Sequence, residues 1–411
     1  MKKKVFTILG ILFVCQITAL AQEVVTKQVI VELTNQWDKE KTDEPVVIKL
    51  ADVETGFRVR SAIVMDGKTE ISSQLDDLDG DLKADELAFV INLPAKSKKE
   101  LTITLSSEKS DKIYPARVYA QMKMQGSPKY RHQHAQSVTV PGSSDIYSLM
   151  YHHGPAFESE LVGYRIYFNQ KQTIDPYGKF HQRLELAESE FYPTKEQLER
   201  GFGDDVLMVG NSGGVGAMKG WNGQKATHIE PVAFRTERLM ATGPIRTIAE
   251  VEVKGWEYQG KELNMMHRYI LYAGHRDLLI ETYFDEALTE EVFCAGVQNI
   301  MGTETVYESD HKGLVGSWGR HWPVTDTIRF AKETVGLATY IPQQYVRQEV
   351  KDKDNFLYTI SVPGSNYFHY YTMFTSRKET FGFSTSEEWF RYMCEWKESL
   401  LHPVLVKIKN K

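Results

Sequence analysis

The chain has 411 residues, a formal net charge of -6 and 42% hydrophobic residues. That length can bury a large core and suits about two domains of ordinary size. The acidic balance excludes the global basic signature of a nucleic-acid binder, and three cysteines in so long a chain exclude a disulfide framework.

Lys2, Lys3 and Lys4 precede an apolar run from Val5 to Leu20, and Ala19-Leu20-Ala21 offers a small-residue cleavage site before Gln22. This is the order of a secretory signal peptide over residues 1–21, which predicts a periplasmic protein. The run is shorter than the roughly 20 residues of a spanning helix, and no later stretch is apolar enough to span, so no membrane partner is expected. A lipoprotein is the lesser alternative: Cys15 lies in the run, but Val14 stands where a small residue is wanted. Cleavage leaves Cys294 and Cys394, either as one bridge or as two buried thiols.

Two-residue alternation dominates the rest of the chain. Val46–Leu50, Phe89–Leu93, Leu101–Leu105, Tyr164–Phe168, Ile248–Val253, His267–Tyr272 and Leu278–Phe284 read as strands punctuated by turn residues, with no strand–helix–strand alternation. Two segments read as helices. Pro193–Arg200 opens with Thr194 as a cap. Glu387–Leu401 carries an apolar stripe of Trp389, Met393, Trp396 and Leu400, with Ser384 and Glu387 at capping-box spacing and Pro403 as a stop. The polar stretch Ser106–Lys112, followed by Pro115, marks a boundary. All twelve histidines and six of the seven tryptophans lie beyond residue 130. The expected class is all-β with few helices: an N-terminal β-sandwich over residues 22–110, then a large antiparallel β-sandwich over residues 115–411.

Several motifs could carry chemistry. Asp77, Asp79, Asp81 and Asp85 have the alternate spacing with which short loops gather carboxylates on calcium, although Leu82 stands where glycine is usual. They are candidate ligands of a structural Ca2+; the competing reading is an acidic hairpin. Gly210–Gly216 lacks the Lys-Ser/Thr of a phosphate loop, so it reads as a tight turn or a close backbone approach to a ligand. No GxSxG, HExxH or cysteine-centred pattern is present. Paired carboxylates for a glycosidase could come from Glu158, Glu160, Asp204 and Asp205.

The richest region runs from Tyr130 to Lys179. His132 and His134 lie two apart, hence on one face of a strand. Tyr151-His152-His153-Gly154-Pro155, Glu160–Phe168 and Gln172–Lys179 come next, and Trp318 with Arg320, His321 and Trp322, and His369 among aromatics, form further clusters. These three motifs, with the acidic turn and the glycine loop, resemble a formerly uncharacterised family encoded in the polysaccharide-utilisation loci of gut and marine bacteria. The likeness covers nearly the whole mature chain. It implies a galactose-mutarotase-like β-supersandwich. It also implies an oligosaccharide dehydratase of the kind that acts on ulvan oligosaccharides, removing water from a non-reducing-end uronic acid to leave a 4,5-unsaturated uronyl group.

The residues themselves supply candidate roles for that chemistry. Arg165 or Arg320 could neutralise the uronate. His134, His153 or Tyr164 could take the C5 proton, and His321 or Tyr177 could protonate the departing 4-hydroxyl. His132, Glu158, Tyr177, Lys179, Trp221, Trp318, Trp322 and His369 are candidate substrate contacts, through ring stacking or polar grips. No cofactor is required. The partner expected is a uronic-acid-containing oligosaccharide. A polysaccharide lyase or a glycoside hydrolase would use similar parts, and a non-catalytic carbohydrate-binding β-sandwich is the non-enzyme alternative. A free periplasmic location suits short imported oligosaccharides, and so favours an exo-acting dehydratase over an endo-acting lyase.

Overall fold

The computed structural model describes residues 24–409 except Pro128, Tyr130, residues 301–304 and Arg329. The predicted signal peptide, with Cys15, lies outside the described residues. The class is all-β: among the described residues nearly all regular structure is antiparallel strand, with three α-helices, of which only Ser386–Leu401 exceeds five residues. Among the described residues no helix is long and apolar enough to cross a membrane.

In the N-terminal part, alternation builds the core directly. Thr26–Thr34 points Val29, Val31 and Leu33 inward, and Lys98–Ser106 points Leu101, Ile103 and Leu105 to meet them, with Val31 opposite Leu101. A five-stranded and a three-stranded sheet close over this core. The last strand of the chain, Leu405–Lys409, pairs with Thr26–Thr34 and completes the five-stranded sheet. The boundary expected from the sequence places these residues in the larger unit. They return to the smaller one because Val404 and Ile408 pack on its core once Pro403 has ended the preceding helix.

The larger part stacks sheets of nine, six and five strands around one extended core. Helix Ser386–Leu401 lies on the nine-stranded sheet. Its cap is Thr385, in a capping box with Glu388, one residue later than the predicted pair. Trp389, Phe390, Met393 and Trp396 bury themselves against Leu314, Ala338, Tyr340 and Met373. The helix sits this close because Gly336 makes room: a Cβ there would lie 2.8 Å from the Trp389 ring. Thr194 caps its short helix as expected. Cys294 and Cys394 are both free, the first buried and the second exposed.

The Gly210–Gly216 segment is a packing device. Val215 bridges to Val297 and Gly214 to Ile174, tying two sheets together, and a Cβ on Gly214 would meet the Ile174 carbonyl at 2.2 Å. The ligand-approach alternative for this loop therefore has no support, since all but its first two residues are buried.

The six-stranded sheet positions the site. Its strands include Val118–Met124, Met150–Ser159, Gly163–Ile166 and Ile174–Gly178. Side chains alternate between the two faces of a strand. Ala120, Met122, Phe157, Tyr164, Ile166 and Ile174 therefore face the core. Gln121, Glu158, Arg165, Asp175 and Tyr177 face the other way, brought level by the pairs Ala156–Gln121, Ala156–Arg165 and Arg165–Asp175.

Candidate active site

One end of this polar face is covered by residues 180–203. Lys179 Nζ donates to Glu158 Oε2 at 2.5 Å, to the Ser159 carbonyl at 2.6 Å and to the Arg183 carbonyl at 2.6 Å. Glu158 also accepts the backbone N–H groups of Glu185 and Leu186. Tyr177 stacks on Phe191 at 4.1 Å and donates to the Gly203 carbonyl. Glu158, Tyr177 and Lys179 are fully buried. Predicted as substrate contacts and, for Tyr177, as the acid, they instead clamp the covering segment. A charge leaves water only when other groups satisfy it, and here those groups are the segment's own backbone.

Beyond the clamp lies a denser cluster. Arg165, 4% exposed, uses Nη2 for both of its ion pairs, with Asp175 Oδ2 at 2.5 Å and with Asp205 Oδ1. Tyr167 donates to Asp175 Oδ2 at 2.7 Å. Arg165 Nε is buried with no partner. Burial raises the Asp175 carboxyl to about 6, against the pull of the Arg165 charge, and the neighbouring Asp205 adds to the rise.

The adjacent strand is distorted at this point. The register slips between Tyr151 and Ala156, and His152 (φ 67°) and His153 (φ 63°) take left-handed backbone that side chains rarely adopt. Such strain gathers at functional sites. The bulge presents three consecutive rings, and each meets a ring from a different segment. Tyr151 lies 4.2 Å from His132, His152 is parallel to Tyr192 at 5.6 Å, and His153 is stacked on Tyr147 at 3.9 Å. Gly154 permits the turn, since a Cβ there would strike the Ile166 carbonyl at 1.9 Å.

The two histidines differ. His152 is buried, and its Nε2 is 2.9 Å from the Gln121 amide while its Nδ1 has no partner. Burial holds its pKa well below the ordinary histidine value, with the Arg165 charge adding to the effect. His153 Nδ1 donates to the Tyr147 carbonyl at 3.0 Å. That bond places the proton on Nδ1 and leaves the Nε2 lone pair free. Burial lowers its pKa too, so the imidazole is neutral and able to accept a proton. Orphaned buried polar atoms are rare in folded proteins. Two of them, His152 Nδ1 and Arg165 Nε, fall in this one cluster.

The other predicted residues are dispersed. His132 joins the cluster through Tyr151. His134 is exposed on a two-residue edge strand, opposite Lys123. Tyr164 faces away: it is buried in the core and donates to the Arg276 carbonyl at 2.6 Å. A residue next to Arg165 on a strand cannot share its face, so Tyr164 is not a base here. Arg320 and His321 end a strand of the nine-stranded sheet, where Arg320 is exposed and its side chain makes no hydrogen bond or ion pair among the described residues. Trp318, beside them, is buried under the C-terminal helix. Trp322 packs against Lys332. Trp221 lies in the five-stranded sheet with the Tyr258 hydroxyl accepting its N–H, and His369 packs among Tyr345, Tyr367 and Tyr371. No described contact joins these residues to Arg165. Tyr147 and Tyr192 join the cluster without having been singled out in the sequence, and Tyr167 and Asp175 lay in its motifs without an assigned role. The one available signal was the hairpin that sets Asp175 opposite Arg165.

Residues 33–406 match the family model described as "Domain of unknown function (DUF4861)". The chain belongs to the DUF4861 family. No curated protein matches it. Among solved structures, a protein in glycosyl hydrolase family 38 from Enterococcus faecalis is similar, with a TM-score of 0.50 and 9% identity over 93% of this chain. An alpha-mannosidase from Enterococcus faecalis V583 gives 0.48 and 11% over 93%. The DUF4861 chain spans about half the length of these proteins, 47% and 46%. At such low identity the first likeness establishes a shared β-rich fold.

The acidic turn of this DUF4861 protein joins strands Ser73–Asp76 and Glu86–Leu93. It brings oxygens of Asp77, Asp79 and Asp85 within 4.8 Å of one another. Asp81 instead pairs with Lys83 at 2.5 Å. Leu82 takes the left-handed backbone (φ 68°) that glycine would have taken more easily. Three converging carboxylates are a donor set that fits a hard cation, although backbone N–H groups already occupy some of the same oxygens.

Proposed function

We propose that this DUF4861 protein is a carbohydrate-active enzyme that removes water from the non-reducing-end uronic acid of an oligosaccharide, leaving a 4,5-unsaturated uronyl group. One observation carries the reading: a neutral His153 with a free Nε2 stands on a strained bulge within electrostatic reach of Arg165 and Asp205. Tyr147 stacks on its ring and Tyr167 meets it edge-on, and aromatic rings suit a sugar that is polar at its rim and apolar on its faces.

The step balances as a β-elimination. The C5–H bond breaks; its proton passes to His153 Nε2 and its electron pair forms the C4–C5 double bond. The C4–O bond breaks, and the departing hydroxyl takes the phenolic proton of Tyr192 and leaves as water. Burial raises the Tyr192 pKa, so the phenol holds its proton until the leaving group demands it. Proton exchange with solvent then restores both groups. Arg165 supplies the positive charge that stabilises the enolate-like intermediate on the carboxylate side.

The deciding experiment incubates the protein with saturated uronyl oligosaccharides and follows the ultraviolet absorbance of the new double bond together with the product mass. Loss of one water at unchanged chain length supports the dehydratase. Shortening with new absorbance would assign a lyase, shortening alone a hydrolase, and no change across a broad glycan panel a binding module.

A pH dependence arises from Asp175. Above its pKa of about 6 the Asp175–Arg165–Asp205 trio carries one net negative charge, and below it none. An anionic uronate binds the neutral form better. His153 must at the same time be deprotonated, and its lowered pKa allows that at mildly acid pH. The expected kcat/KM profile therefore has an alkaline limb near pH 6 that resides in KM and disappears in Asp175→Asn. An alkaline limb unchanged by that substitution would remove Asp175 from the account.

Structural calcium at Asp77, Asp79 and Asp85 belongs to the same proposal. Added Ca2+ should raise Tm in the wild type and leave Asp79→Asn unmoved; equal shifts in both would locate the effect elsewhere. Export is tested by the mature N-terminus, expected at Gln22.

A further inference from the structure

Away from the Arg165 cluster, a cavity of about 640 Å³ opens where the N-terminal part, the 272–279 segment and the C-terminal helix meet. Its walls include Trp37, Tyr272, His275, Tyr371, Tyr392 and Trp396, and none of them belongs to that cluster. Its volume lies within the range of small-molecule sites, which favour junctions between structural units.

The walls are fixed before any ligand arrives. Arg117 grips Asp43 with two hydrogen bonds of 2.7 and 2.9 Å and reaches Glu160 as well. His275 holds Asp277 through Nδ1 at 2.9 Å and the Asp43 carbonyl through Nε2 at 2.9 Å. Lys41, nearly buried, joins Glu44 to the Ser399 carbonyl on the helix. Trp37 is stacked with His402 at 5.8 Å and has the ammonium groups of Lys39 and Lys41 within 5.7 Å of its ring centre. A pre-formed site of this kind saves the ordering cost of binding.

Its charges are mostly paired. Four cationic side chains (Lys39, Lys41, His275 and Arg276) line it against four carboxylates (Glu40, Glu44, Asp277 and Glu395). Lys41 pairs with Glu44, His275 with Asp277 and Lys39 with Glu395 within the wall, and Arg276 pairs with Glu379 behind it. With Arg276 taken up by Glu379, Glu40 is left over and the wall carries one net negative charge, which draws no anion, while it offers many fixed hydrogen-bonding groups beside aromatic surface.

We infer that this cleft is a second carbohydrate-binding site, separate from the Arg165 centre, and that it takes uncharged sugar units of an oligosaccharide. Rings carrying hydroxyls at their rim and C–H groups on their faces match an aromatic wall whose charges are mostly paired and whose one excess charge is negative. The uronic acid proposed for the Arg165 centre does not match it.

Calorimetric titration tests this without any turnover. The probes are xylotetraose, mannotetraose, cellotetraose and a rhamnose oligosaccharide, with a saturated uronyl disaccharide as the charged comparison. At least one uncharged probe should bind saturably and more tightly than the uronyl probe. Trp37→Ala and, as a second variant outside the N-terminal part, Tyr371→Ala should each weaken that binding roughly tenfold. His153→Gln should leave it unchanged. Absence of saturable binding by every uncharged probe overturns the inference, as does binding that both aromatic variants retain. Because the readout is equilibrium binding, a failed dehydratase assay leaves this result standing, and the reverse also holds.

Discussion

His153→Gln lowers kcat on uronyl oligosaccharides by about a hundredfold or more, the usual worth of a positioned general base. The substitution keeps a side chain of similar size, and its amide can still donate to the Tyr147 carbonyl that now receives His153 Nδ1. What it removes is the Nε2 lone pair. The loss should therefore fall on kcat, with KM little changed, because the group acts on the C5 proton only in the transition state. Thermal denaturation supplies the control: Tm should stay close to the wild-type value. A variant that keeps near-normal kcat would sink His153 as the base. His134 would not inherit the role, since its edge strand leaves it exposed and away from the Arg165 ion pairs.

Arg165→Met has a larger and different expected effect. From the sequence alone, Arg165 is a candidate to neutralise the uronate. In the structure it is buried between Asp175 and Asp205, and Asp175 is itself 2% exposed. Removing the guanidinium strands a buried carboxylate, which costs about 3–5 kcal/mol. Activity should vanish, and the urea midpoint should fall by the same order. The double variant Arg165→Met with Asp175→Asn removes the stranded charge, so it should recover much of the stability and none of the activity. If the single variant keeps wild-type stability, water reaches the trio and screens it. If the double variant recovers turnover, Arg165 has no role in the chemistry.

The alternating pattern of Leu101–Leu105 or Leu278–Phe284 announced strands, and it placed their inward residues correctly because a strand has only two faces. The same rule, carried through, separates Tyr164 from Arg165. What one strand cannot disclose is which face meets a core, since that depends on the sheet stacked against it. The polar face of Glu158, Arg165, Asp175 and Tyr177 resembles a binding surface in sequence. Half of it is an internal clamp, because a segment some twenty residues downstream folds over it. Asp205 and Tyr192 come to Arg165 from that downstream chain, and no local spacing encodes their arrival. The histidine pair at 152 and 153 was visible as a motif. The left-handed bulge that gives them different partners and burial is a tertiary outcome.

The pairing of Thr26–Thr34 with Leu405–Lys409 has a consequence for the order of assembly. Ile30 finds Lys409 across nearly the full contour of the chain. During synthesis, strand Thr26–Thr34 stays without this edge neighbour until residues 405–409 have been made. Such a long-range closure is entropically late, so the small sheet finishes after the large one rather than before it. A version ending at Pro403 would leave an open strand edge, a template for joining a second chain.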